Sequence, residues 1–269
     1  MAPRTALFLP ASNPRAIAKA RTLAADAVIL DLEDAVAAAD KASARAAAVL
    51  AVGEGMGRPA AIRVNAHGTP EHQDDLTAVA ASAADWVVLP KVEAAGQAAA
   101  VAAAAGKPLL AMIETPAGVL AAPAIARAAG VAGLIAGTND LAHELRLPPS
   151  AGREGLSYAL QAIVLAARAG CVFALDGVFN GLDDRDGLAA ECDQGRAFGF
   201  DGKTLIHPGQ IATATRAFAP TSAEIEDARA LIAAAQGGAE RFRDRMIEAM
   251  HVDQARRLLA RAIPRDANA

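Results

Sequence analysis

Two carboxylates stand where the sequence predicts the ends of buried strands, and together they could bind a divalent cation. An apolar run, LLAMI, ends in Glu114, and a second run, LIAG, is followed within three residues by Asp140. In parallel α/β folds, the carboxyl ends of the strands meet at one edge, where the chemistry takes place. Hard divalent cations prefer oxygen ligands, so the pair predicts a metal site shared by Glu114 and Asp140.

Each acid also has an ordinary structural interpretation. Asp140, or Thr138 before it, could cap the following helix by accepting backbone N–H groups. Glu114 could be a surface acid at a strand end. The two acids considered together, at adjacent strand ends in apolar surroundings, favour the metal site over either explanation.

Further polar residues end the other candidate strands and would meet at the same edge. Acids there could hold a cation, while Arg63 could reach a carboxylate or an oxyanion of a substrate. Glu33 and Asp34 are candidate catalytic residues. Alternatively, they form structural ion pairs with Lys41, Arg45 or Arg63. The polar residues in chain order are Asp31, Glu33, Asp34, Arg63, Asn65, Lys91, Glu93, Glu114, Asn139, Asp140, Asp176, Lys203 and His207.

Three residues near these strand ends have other possible roles. Lys91 could neutralise the surrounding acids, or it could form a Schiff base if its pKa were lowered. His207, followed by Pro208, is either an oriented structural histidine or a ligand. Cys171 begins the seventh apolar run and is assigned to the core.

The elements that must position these residues follow from apolar runs separated by alanine-rich segments of helical length. Continuous runs are typical of parallel strands covered on both sides. Eight strand–helix units in one chain predict a (β/α)₈ TIM barrel. A doubly wound sheet is the alternative, but no glycine-rich dinucleotide turn follows any run, and the glycine cluster at 53–57 indicates a loop. The predicted strands are Thr5–Leu9, Ala27–Leu32, Ala60–Asn65, Trp86–Pro90, Leu109–Glu114, Gly133–Gly137, Cys171–Asp176 and Gly202–His207.

Length and composition exclude several classes of protein. The chain has 269 residues, enough for one large barrel or two ordinary domains. A net charge of −4 and only 3% aromatic residues argue against a nucleic-acid or membrane surface. No apolar stretch is long enough for a transmembrane helix, and the N-terminal stretch is interpreted as a first strand rather than a signal sequence. Two cysteines without metal-ligand spacing predict a reducing, cytoplasmic setting.

The pattern of the chain changes after the eighth run. Thr221 and Glu224 form a predicted capping box that opens a helix to about Gln236. The glycine pair at 237–238 is then either a plain helix terminator or a hinge for a mobile cover. We interpret 239–262 as a charged helical segment. The predicted domains are a catalytic barrel at 1–220 and a C-terminal helical extension at 221–269.

Seven separate stretches give the chain a resemblance to a known family. In chain order they are LFLPASNPRAIAKA, AVILDLEDAV, IRVN, VVLPKVE, AMIETPAGV, GTNDLA and GFDGKTLIHPGQI. Their order resembles that of citrate lyase β-subunit-like proteins, which are CoA ester lyases of the HpcH/HpaI aldolase/citrate lyase family. The resemblance implies a barrel of the phosphoenolpyruvate/pyruvate type, a Mg²⁺ or Mn²⁺ ion, and carbon–carbon cleavage or formation next to a coenzyme A thioester.

The resemblance also implies roles for individual residues. Glu114 and Asp140 match the metal ligands, and Arg63 matches an arginine that faces the substrate oxygen. The implied substrate-binding residues are Arg63, Glu114, Gly137, Asn139 and Asp140. The segment that resembles the coenzyme A contact contains Ser12, Arg15 and Lys19.

The catalytic base is the point at which the chain departs from the family pattern. In relatives this role often falls to an aspartate in a C-terminal Met-Ile-Asp segment of a neighbouring protomer, whereas this chain has Met246-Ile247-Glu248. Glu248 is therefore the candidate base. The apolar residues within 241–261 predict packing on a neighbouring protomer in a homo-oligomer, a trimer or hexamer by resemblance. The alternative is a helix that lies on its own barrel with a solvated Glu248.

The predicted function is a Mg²⁺-dependent lyase that acts on a malyl-, citramalyl- or citryl-like CoA thioester and releases a 2-oxo acid. Arg63 would stabilise the oxygen that becomes negative at the thioester carbonyl, and a base would take the hydroxyl proton. Two alternatives remain open. One is an HpaI-like pyruvate aldolase that does not use CoA, and the other is a non-catalytic subunit that binds an acyl group for a partner.

Overall fold

The first part of the chain forms a closed barrel. The computed structural model describes residues 2–262, and its first compact unit, which ends at Thr215, has eight parallel strands in sequential order. The predicted (β/α)₈ fold is therefore confirmed. Parallel strands need long crossovers, and the helices between successive strands supply them. Strands β1–β8 are Thr5–Pro10, Ala27–Asp31, Ala60–Arg63, Trp86–Leu89, Leu109–Ile113, Val131–Ala136, Phe173–Asp176 and Gly202–Leu205.

Alanine-rich helices between successive strands cover the barrel. Alanine has the highest helix propensity, and its small side chain lets a helix lie close to the strands. Helices α1–α11 are Pro14–Ala20, Lys41–Gly53, His72–Ala80, Ala95–Ala105, Pro116–Ala126, Thr138–Glu144, Ser157–Ala169, Arg185–Phe198, Ile211–Phe218, Ser222–Ala234 and Ala249–Ala262. The last two, α10 and α11, follow after residue 215. Short 3₁₀ helices lie at Ala38–Asp40, Arg153–Leu156 and Pro208–Gln210.

The barrel interior is filled by apolar side chains from alternate strand positions. Ile29, Ala61, Met112, Ile135 and Leu175 belong to one buried cluster. Because side chains alternate across a strand, a residue two positions beyond one of these faces the same way. The phase of this alternation decides which residues at the strand ends enter the barrel mouth.

All eight predicted strands are present, although several end before the apolar run does. Asn65, Glu114 and His207 lie beyond the last residue of their strands. The predicted start of the seventh strand at Cys171 is wrong, because the strand begins at Phe173. Cys171 is exposed and has a left-handed backbone conformation, with φ of 57°. The assignment of Cys171 to the core is therefore wrong. An apolar turn residue that precedes a strand cannot be told from the strand itself by composition.

The second compact unit begins at Arg216 and contains a β-hairpin that was not predicted from the sequence. Strand β9, Glu240–Phe242, pairs antiparallel with β10, Arg245–Ile247. The prediction of a helical segment over 239–262 is therefore wrong up to the start of α11. Strands of three residues are too short to show a two-residue period in the sequence.

The predicted capping box at the start of α10 is confirmed. The Thr221 hydroxyl accepts the Glu224 N–H at 3.2 Å, and Glu224 Oε2 accepts the Thr221 N–H at 2.7 Å. The helix ends at Ala234, so the glycine pair lies in the connection to the hairpin, where Gly237 has φ of 104°. It is part of a turn between two ordered elements.

The second unit has an apolar core of its own, built by α10, the hairpin and α11. Its buried members are Ala228, Leu231, Phe242, Ile247 and Ala255, with Leu258 and Leu259 among the side chains packed against them. Much of the apolar surface of 241–261 is thus covered within this unit, and its packing on a neighbouring protomer stays a prediction. Met246 and Met250 remain exposed, at 61% and 62%.

Two further statements concern the chain as a whole. The domain division predicted after residue 220 stays a prediction, and residues 263–269 of the predicted extension lie outside the described residues. Within residues 2–262, no helix has the length and apolar character that a membrane crossing requires.

Candidate metal and substrate site

Glu114 follows β5 and enters the barrel mouth. Met112 faces the barrel interior, so Glu114, two residues later, points the same way. The Thr115 hydroxyl accepts the Gly118 N–H at 3.0 Å and starts the next helix directly after Glu114. Glu114 is 2% exposed, and its Oε1 accepts the backbone N–H of Lys91 at 2.7 Å. The interpretation of Glu114 as a surface acid is therefore wrong.

Asp140 reaches the same mouth from the first turn of α6. This helix begins at Thr138 with Gly137 at its N-cap, and no side chain caps it. The interpretation of Asp140 or Thr138 as a helix cap is therefore wrong, and Asp140 lines the cavity at the mouth. A Cβ atom on Gly137 would lie 2.2 Å from Glu114 Oε2, so only glycine leaves room for that carboxylate.

Arg63 ends β3 and is held by Asp31, which ends the neighbouring strand β2. Its Nε and Nη2 each donate to an Asp31 oxygen at 2.6 Å, as a bidentate pair. Its Nη1 lies 3.0 Å from Glu33 Oε2, and the guanidinium carbon lies 5.0 Å from the centre of the Phe8 ring. Burial disfavours the charged guanidinium, but hydrogen bonds and charge attraction from Asp31 hold the pKa of Arg63 above its ordinary value. Because Asp31 engages two of five N–H groups, Arg63 keeps donors for a substrate oxygen.

Glu33 lies between two cations. Its Oε2 is the atom that faces Arg63, and its Oε1 lies 3.4 Å from Lys91 Nζ. The same ammonium lies 3.6 Å from Asp140 Oδ2. Asp34, whose side chain is 63% exposed, lies 3.8 Å from Arg63 Nη1. Both acids after β2 are therefore ion-pair partners of Arg63, and Glu33 also links Arg63 to Lys91.

Lys41 and Arg45 have different partners from those predicted. Lys41 Nζ donates to the backbone carbonyl of Glu33 and to Asn65 Oδ1, both at 2.7 Å. Arg45 Nε donates to Asp75 Oδ1 at 2.6 Å. The predicted ion pairs of these two residues with the acids after β2 are therefore wrong. Instead, Lys41 ties the segment after β2 to the segment after β3.

Burial and the crowding of negative charge shift several pKa values. Burial, followed by the charges of Glu33 and Asp140, raises the pKa of Glu114 to about 7. Burial also raises the pKa of Glu33, although Arg63 opposes it. Burial disfavours the charged form of Lys91, but Glu33 and Asp140 hold the pKa of Lys91 above its ordinary value. A Schiff-base lysine needs a lowered pKa, so the structure does not support that role for Lys91.

Arg63, Glu114 and Asp140 line a cavity of about 410 Å³, a volume typical of small-molecule sites. Among its lining residues, all within the described part of the chain, Arg63 is the one cationic side chain. The lining residues are Phe8, Leu9, Pro10, Asp31, Asp34, Ala35, Arg63, Met112, Glu114, Ala136, Gly137, Thr138, Asn139, Asp140, Val178, Thr204 and Ile206.

The apolar wall of this cavity was not predicted from the sequence. It is formed in part by Phe8, Met112, Val178 and Ile206. Met112 could have been predicted to line the cavity, because side chains alternate along a strand and Met112 therefore shares a face with Glu114. Val178 and Ile206 lie beyond the ends of β7 and β8, where no strand period applies.

Asp176 and Lys203 are not among the residues that line the cavity. Leu175 faces the barrel interior, so Asp176, the next residue, faces outward. Lys203 Nζ lies 3.1 Å from Asp176 Oδ2 and 2.6 Å from Glu191 Oε1, and Arg153 also pairs with Asp176. Their prediction as residues of the mouth is wrong. They form a buried ion network that joins β7, β8 and α8.

Two other polar residues at the strand ends have local partners. His207 Nδ1 accepts the Gly209 N–H at 3.1 Å and caps a 3₁₀ helix, which agrees with an oriented structural histidine. Asn139 lines the cavity and exchanges side-chain hydrogen bonds with Asn180, at 2.7 and 3.3 Å. This pair ties the start of α6 to the loop after β7.

Glu33 and the predicted residues that lie away from the strand ends are not among those that line the cavity. Ser12, Arg15 and Lys19 are exposed in the turn and helix after β1. Glu248 belongs to the second unit, where it directly precedes α11 and its backbone N–H donates to His251 Nδ1 at 3.0 Å. Their predicted roles, contact with coenzyme A and proton transfer, stay predictions.

Glu114 and Asp140 fit a cation of the Mg²⁺ class. Magnesium sites usually use one or two carboxylates, with water and substrate oxygens in the other positions. Lys91 engages Oε1 of Glu114, and Oε2 lies beside the bare backbone of Gly137. Within residues 2–262 there is no group of three or more His, Cys, Asp or Glu side chains arranged to hold a metal. Water and substrate would therefore have to complete the coordination of a cation held by these two acids.

Comparison with known proteins gives two family matches. The family described as HpcH/HpaI aldolase/citrate lyase matches residues 4–208. A second family, described as C-C bond lyase of the TIM-barrel fold, matches residues 156–263. Together the two matches extend over the barrel and the second unit.

Individual relatives match nearly the whole chain. A (3S)-malyl-CoA thioesterase of Cereibacter sphaeroides (strain ATCC 17025) is 44% identical, over 96% of this chain and 94% of the relative. A citrate lyase subunit beta-like protein of Deinococcus radiodurans is 37% identical, over 96% of each chain. The crystal structure of the protein CitE from Mycobacterium tuberculosis, in complex with magnesium, acetoacetate and coenzyme A, is 35% identical with a TM-score of 0.83, and the match covers 96% of this chain and 97% of CitE.

Proposed function

The chain belongs to the HpcH/HpaI aldolase/citrate lyase family, and on this premise we propose that it is a Mg²⁺-dependent lyase of 3-hydroxyacyl-CoA thioesters. The observation that carries this proposal is the Glu114–Asp140 pair, which meets Arg63 at one cavity. The CitE structure, with magnesium and coenzyme A bound, supports the same choice of metal and substrate class. The reaction breaks the bond between the hydroxyl carbon and the carbon next to the thioester, and it releases a 2-oxo acid.

Each side chain at the mouth has a distinct part in this reaction. A magnesium ion held by Glu114 and Asp140 would act as a Lewis acid that lowers the pKa of the substrate hydroxyl. As the carbon–carbon bond breaks, its electron pair moves towards the thioester, and Arg63 donates hydrogen bonds to the oxygen that becomes negative. Asp31 fixes the plane of the guanidinium, so these donors are oriented before the substrate binds.

The hydroxyl proton requires a carboxylate base. Asp34 is exposed and lines the cavity, so it can reach a bound hydroxyl directly. Glu33 is buried between Arg63 and Lys91, which suits an electrostatic role better than proton transfer. Glu248 is the base implied by family resemblance, and it would act from a neighbouring protomer.

The charge of the cavity favours a substrate with one free carboxylate. Asp31 already pairs with Arg63, the cationic residue of the lining, so a second substrate carboxylate would face Asp31, Asp34 and Asp140. Malyl and citramalyl thioesters carry one free carboxylate, whereas a citryl thioester carries two. We therefore expect the citryl thioester to be the poorest substrate of the three. The apolar wall can accept the methyl group of a citramalyl thioester.

Hydrolysis of the thioester is a second candidate, and one observation favours it. The relative that is 44% identical to this chain is named a (3S)-malyl-CoA thioesterase. A hydrolase would use the same cavity, with a water molecule attacking the thioester carbonyl and Arg63 stabilising the resulting oxyanion. The two reactions differ in their products.

Mass spectrometry of the products separates these candidates. The purified chain is incubated with malyl-, citramalyl- or citryl-CoA, with Mg²⁺ or with a chelator. Cleavage of malyl-CoA gives glyoxylate and acetyl-CoA, which is the result we expect, and hydrolysis gives malate and free CoA. Turnover of a free hydroxy-oxo acid without CoA would instead support an aldolase. No metal-dependent turnover of any thioester would leave a non-catalytic acyl-binding subunit.

We also propose the assembly and setting of the protein. Exposed Met246 and Met250 flank Glu248 in sequence, so a neighbouring protomer that covers these methionines would also contact Glu248. This supports a homo-oligomer, a trimer or hexamer by family resemblance. Two free cysteines, Cys171 and Cys192, support a reducing, cytoplasmic setting.

A further inference from the structure

Lys91 occupies a backbone position that favours glycine. Its φ is 52°, in the left-handed region, where a side chain costs roughly 1 kcal/mol relative to glycine. This conformation lets its backbone N–H bind Glu114 Oε1 at 2.7 Å. Glycine would make the same hydrogen bond with less strain, so the contact with Glu114 does not explain a lysine here. The side chain needs an explanation of its own.

The Lys91 ammonium completes a chain of alternating charges across the barrel mouth. Asp31 pairs with Arg63 at 2.6 Å, and Arg63 pairs with Glu33 at 3.0 Å. Lys91 then lies 3.4 Å from Glu33 and 3.6 Å from Asp140. The chain thus links the arginine that faces the substrate to an acid of the metal site, and Lys91 is its last cation.

Loss of the Lys91 ammonium would leave the carboxylate of Glu33 with one fewer cationic partner. Glu33 is 6% exposed, and its Oε2 makes no hydrogen bond, although Arg63 lies close by. Without Lys91, Oε1 would lose the ammonium that lies 3.4 Å away, while Glu33 would remain close enough to Glu114 for their charges to interact. A divalent cation beside Glu114 and Asp140 would then be the nearest replacement, and Glu33 would become a third carboxylate ligand.

We propose that Lys91 is a positioning residue that keeps the metal site at two carboxylates, because its ammonium retains Glu33 and competes with the metal for Asp140. This inference rests on the proposed metal site. A third carboxylate would take one of the coordination positions left to water and substrate oxygens, and it would add negative charge beside an anionic substrate. Lys91 therefore weakens metal binding in the absence of substrate and leaves positions open for the substrate.

If Lys91 has this role, removing its ammonium should strengthen Mg²⁺ binding rather than weaken it. Lys91→Met should bind Mg²⁺ at least about tenfold more tightly than the original chain, because a positive charge near Asp140 is lost. Turnover at saturating metal should fall. A lysine that only orients Glu114 through its backbone N–H would leave the Mg²⁺ affinity of Lys91→Met unchanged. A lysine that supports the fold would weaken metal binding when it is lost.

Isothermal titration of the full chain with Mg²⁺, in the absence of substrate, measures this effect. Lys91→Gly is the second variant, because it removes the ammonium and relaxes the backbone, and it should tighten binding in the same way. Lys107→Met is the matched control, since Lys107 precedes β5 at the opposite end of the barrel. It should leave the affinity unchanged. Adding Glu33→Gln to Lys91→Met should remove part of the gain.

The outcomes separate this inference from the proposed function. If the original chain does not bind Mg²⁺, the metal site itself is wrong and both proposals fall. If the original chain binds Mg²⁺ but Lys91→Met and Lys91→Gly bind it equally or more weakly, only the role of Lys91 is overturned.

Discussion

At the scale of single residues, the proposed function depends on Glu114 and Asp140. Among the described residues that line the cavity, they are the one pair of acids that follows two adjacent strands. We expect Glu114→Gln and Asp140→Asn each to weaken Mg²⁺ binding by at least about a hundredfold and to remove turnover. Amides keep the shape of the site and lose its charge, so the circular dichroism spectrum should not change. Near-normal turnover of either variant at moderate Mg²⁺ would contradict a shared metal site.

The pKa of Glu114 makes a prediction about pH. Burial and neighbouring carboxylates raise this pKa from 4.5 to about 7. The folded chain therefore keeps a proton that the unfolded chain loses, so this group contributes stability below pH 4.5 that is lost as the pH rises to about 7. The loss is about 3 kcal/mol in the absence of metal.

Thermal unfolding in chelator measures this effect of pH. The original chain should lose more stability between pH 5 and pH 8 than Glu114→Gln does, because glutamine does not titrate. At pH 8, added Mg²⁺ should return the lost stability to the original chain, since it binds the ionised carboxylate of Glu114. Parallel pH profiles for the two proteins would show that Glu114 titrates normally.

Arg63 tests whether geometry or charge alone stabilises the substrate oxygen. Arg63→Lys should lower kcat by roughly 10²–10³, close to the loss for Arg63→Ala, because an ammonium cannot reproduce the fork that Asp31 holds. Steady-state kinetics at saturating substrate measures the loss. Recovery of most activity with lysine would mean that Arg63 acts only as a diffuse charge.

The sequence located the acids of the site but not the direction in which each side chain points. Glu114, Arg63 and Asp31 were predicted because each ends an apolar run, and each lies two residues beyond a side chain of the barrel interior. Asp176 also ends a run, but it follows Leu175 directly and therefore faces outward. Its partner Arg153 lies in the 3₁₀ helix that precedes α7, away from any strand, so the apolar runs do not indicate the contact.

At the scale of elements, the barrel strands were predictable and the C-terminal hairpin was not. Strands covered on both sides give apolar runs that stand out in sequence. The hairpin has two strands of three residues, and Phe242 and Ile247 are its buried side chains. Its arginines suggested a charged helix, whereas Arg243 and Arg245 pair with Asp227 of α10. The tertiary contacts of α10 thus override the helical pattern.

Glu248 directly follows the hairpin, and its role as the base can be tested by substitution. If Glu248 acts as the base for a neighbouring protomer, Glu248→Gln should lower kcat by about 10²–10⁴ and leave metal binding and assembly unchanged. Met246→Ser combined with Met250→Ser should shift the protein towards monomers in analytical ultracentrifugation. Full activity of Glu248→Gln would exclude this glutamate as the base and favour Asp34.

At the scale of the whole molecule, the barrel brings residues from six strands to one mouth. The other proposals depend on the metal site at this mouth. The cavity lining includes Asp31 and Arg63, which end the adjacent strands β2 and β3. It also includes Glu114 and Asp140, which follow the adjacent strands β5 and β6. Closure of the sheet brings these two pairs to one cavity. The function, the base and the role of Lys91 all assume a cation at the second pair.

Anomalous scattering from a crystal of the chain with Mn²⁺ tests that assumption most directly, because Mn²⁺ accepts the same oxygen ligands as Mg²⁺. We expect one strong peak, about 2.1 Å from a carboxylate oxygen of Glu114 and at a similar distance from one of Asp140, with Glu33 outside the coordination sphere. The peak should disappear in Glu114→Gln. A peak at another site, or no peak at saturating Mn²⁺, would contradict the account.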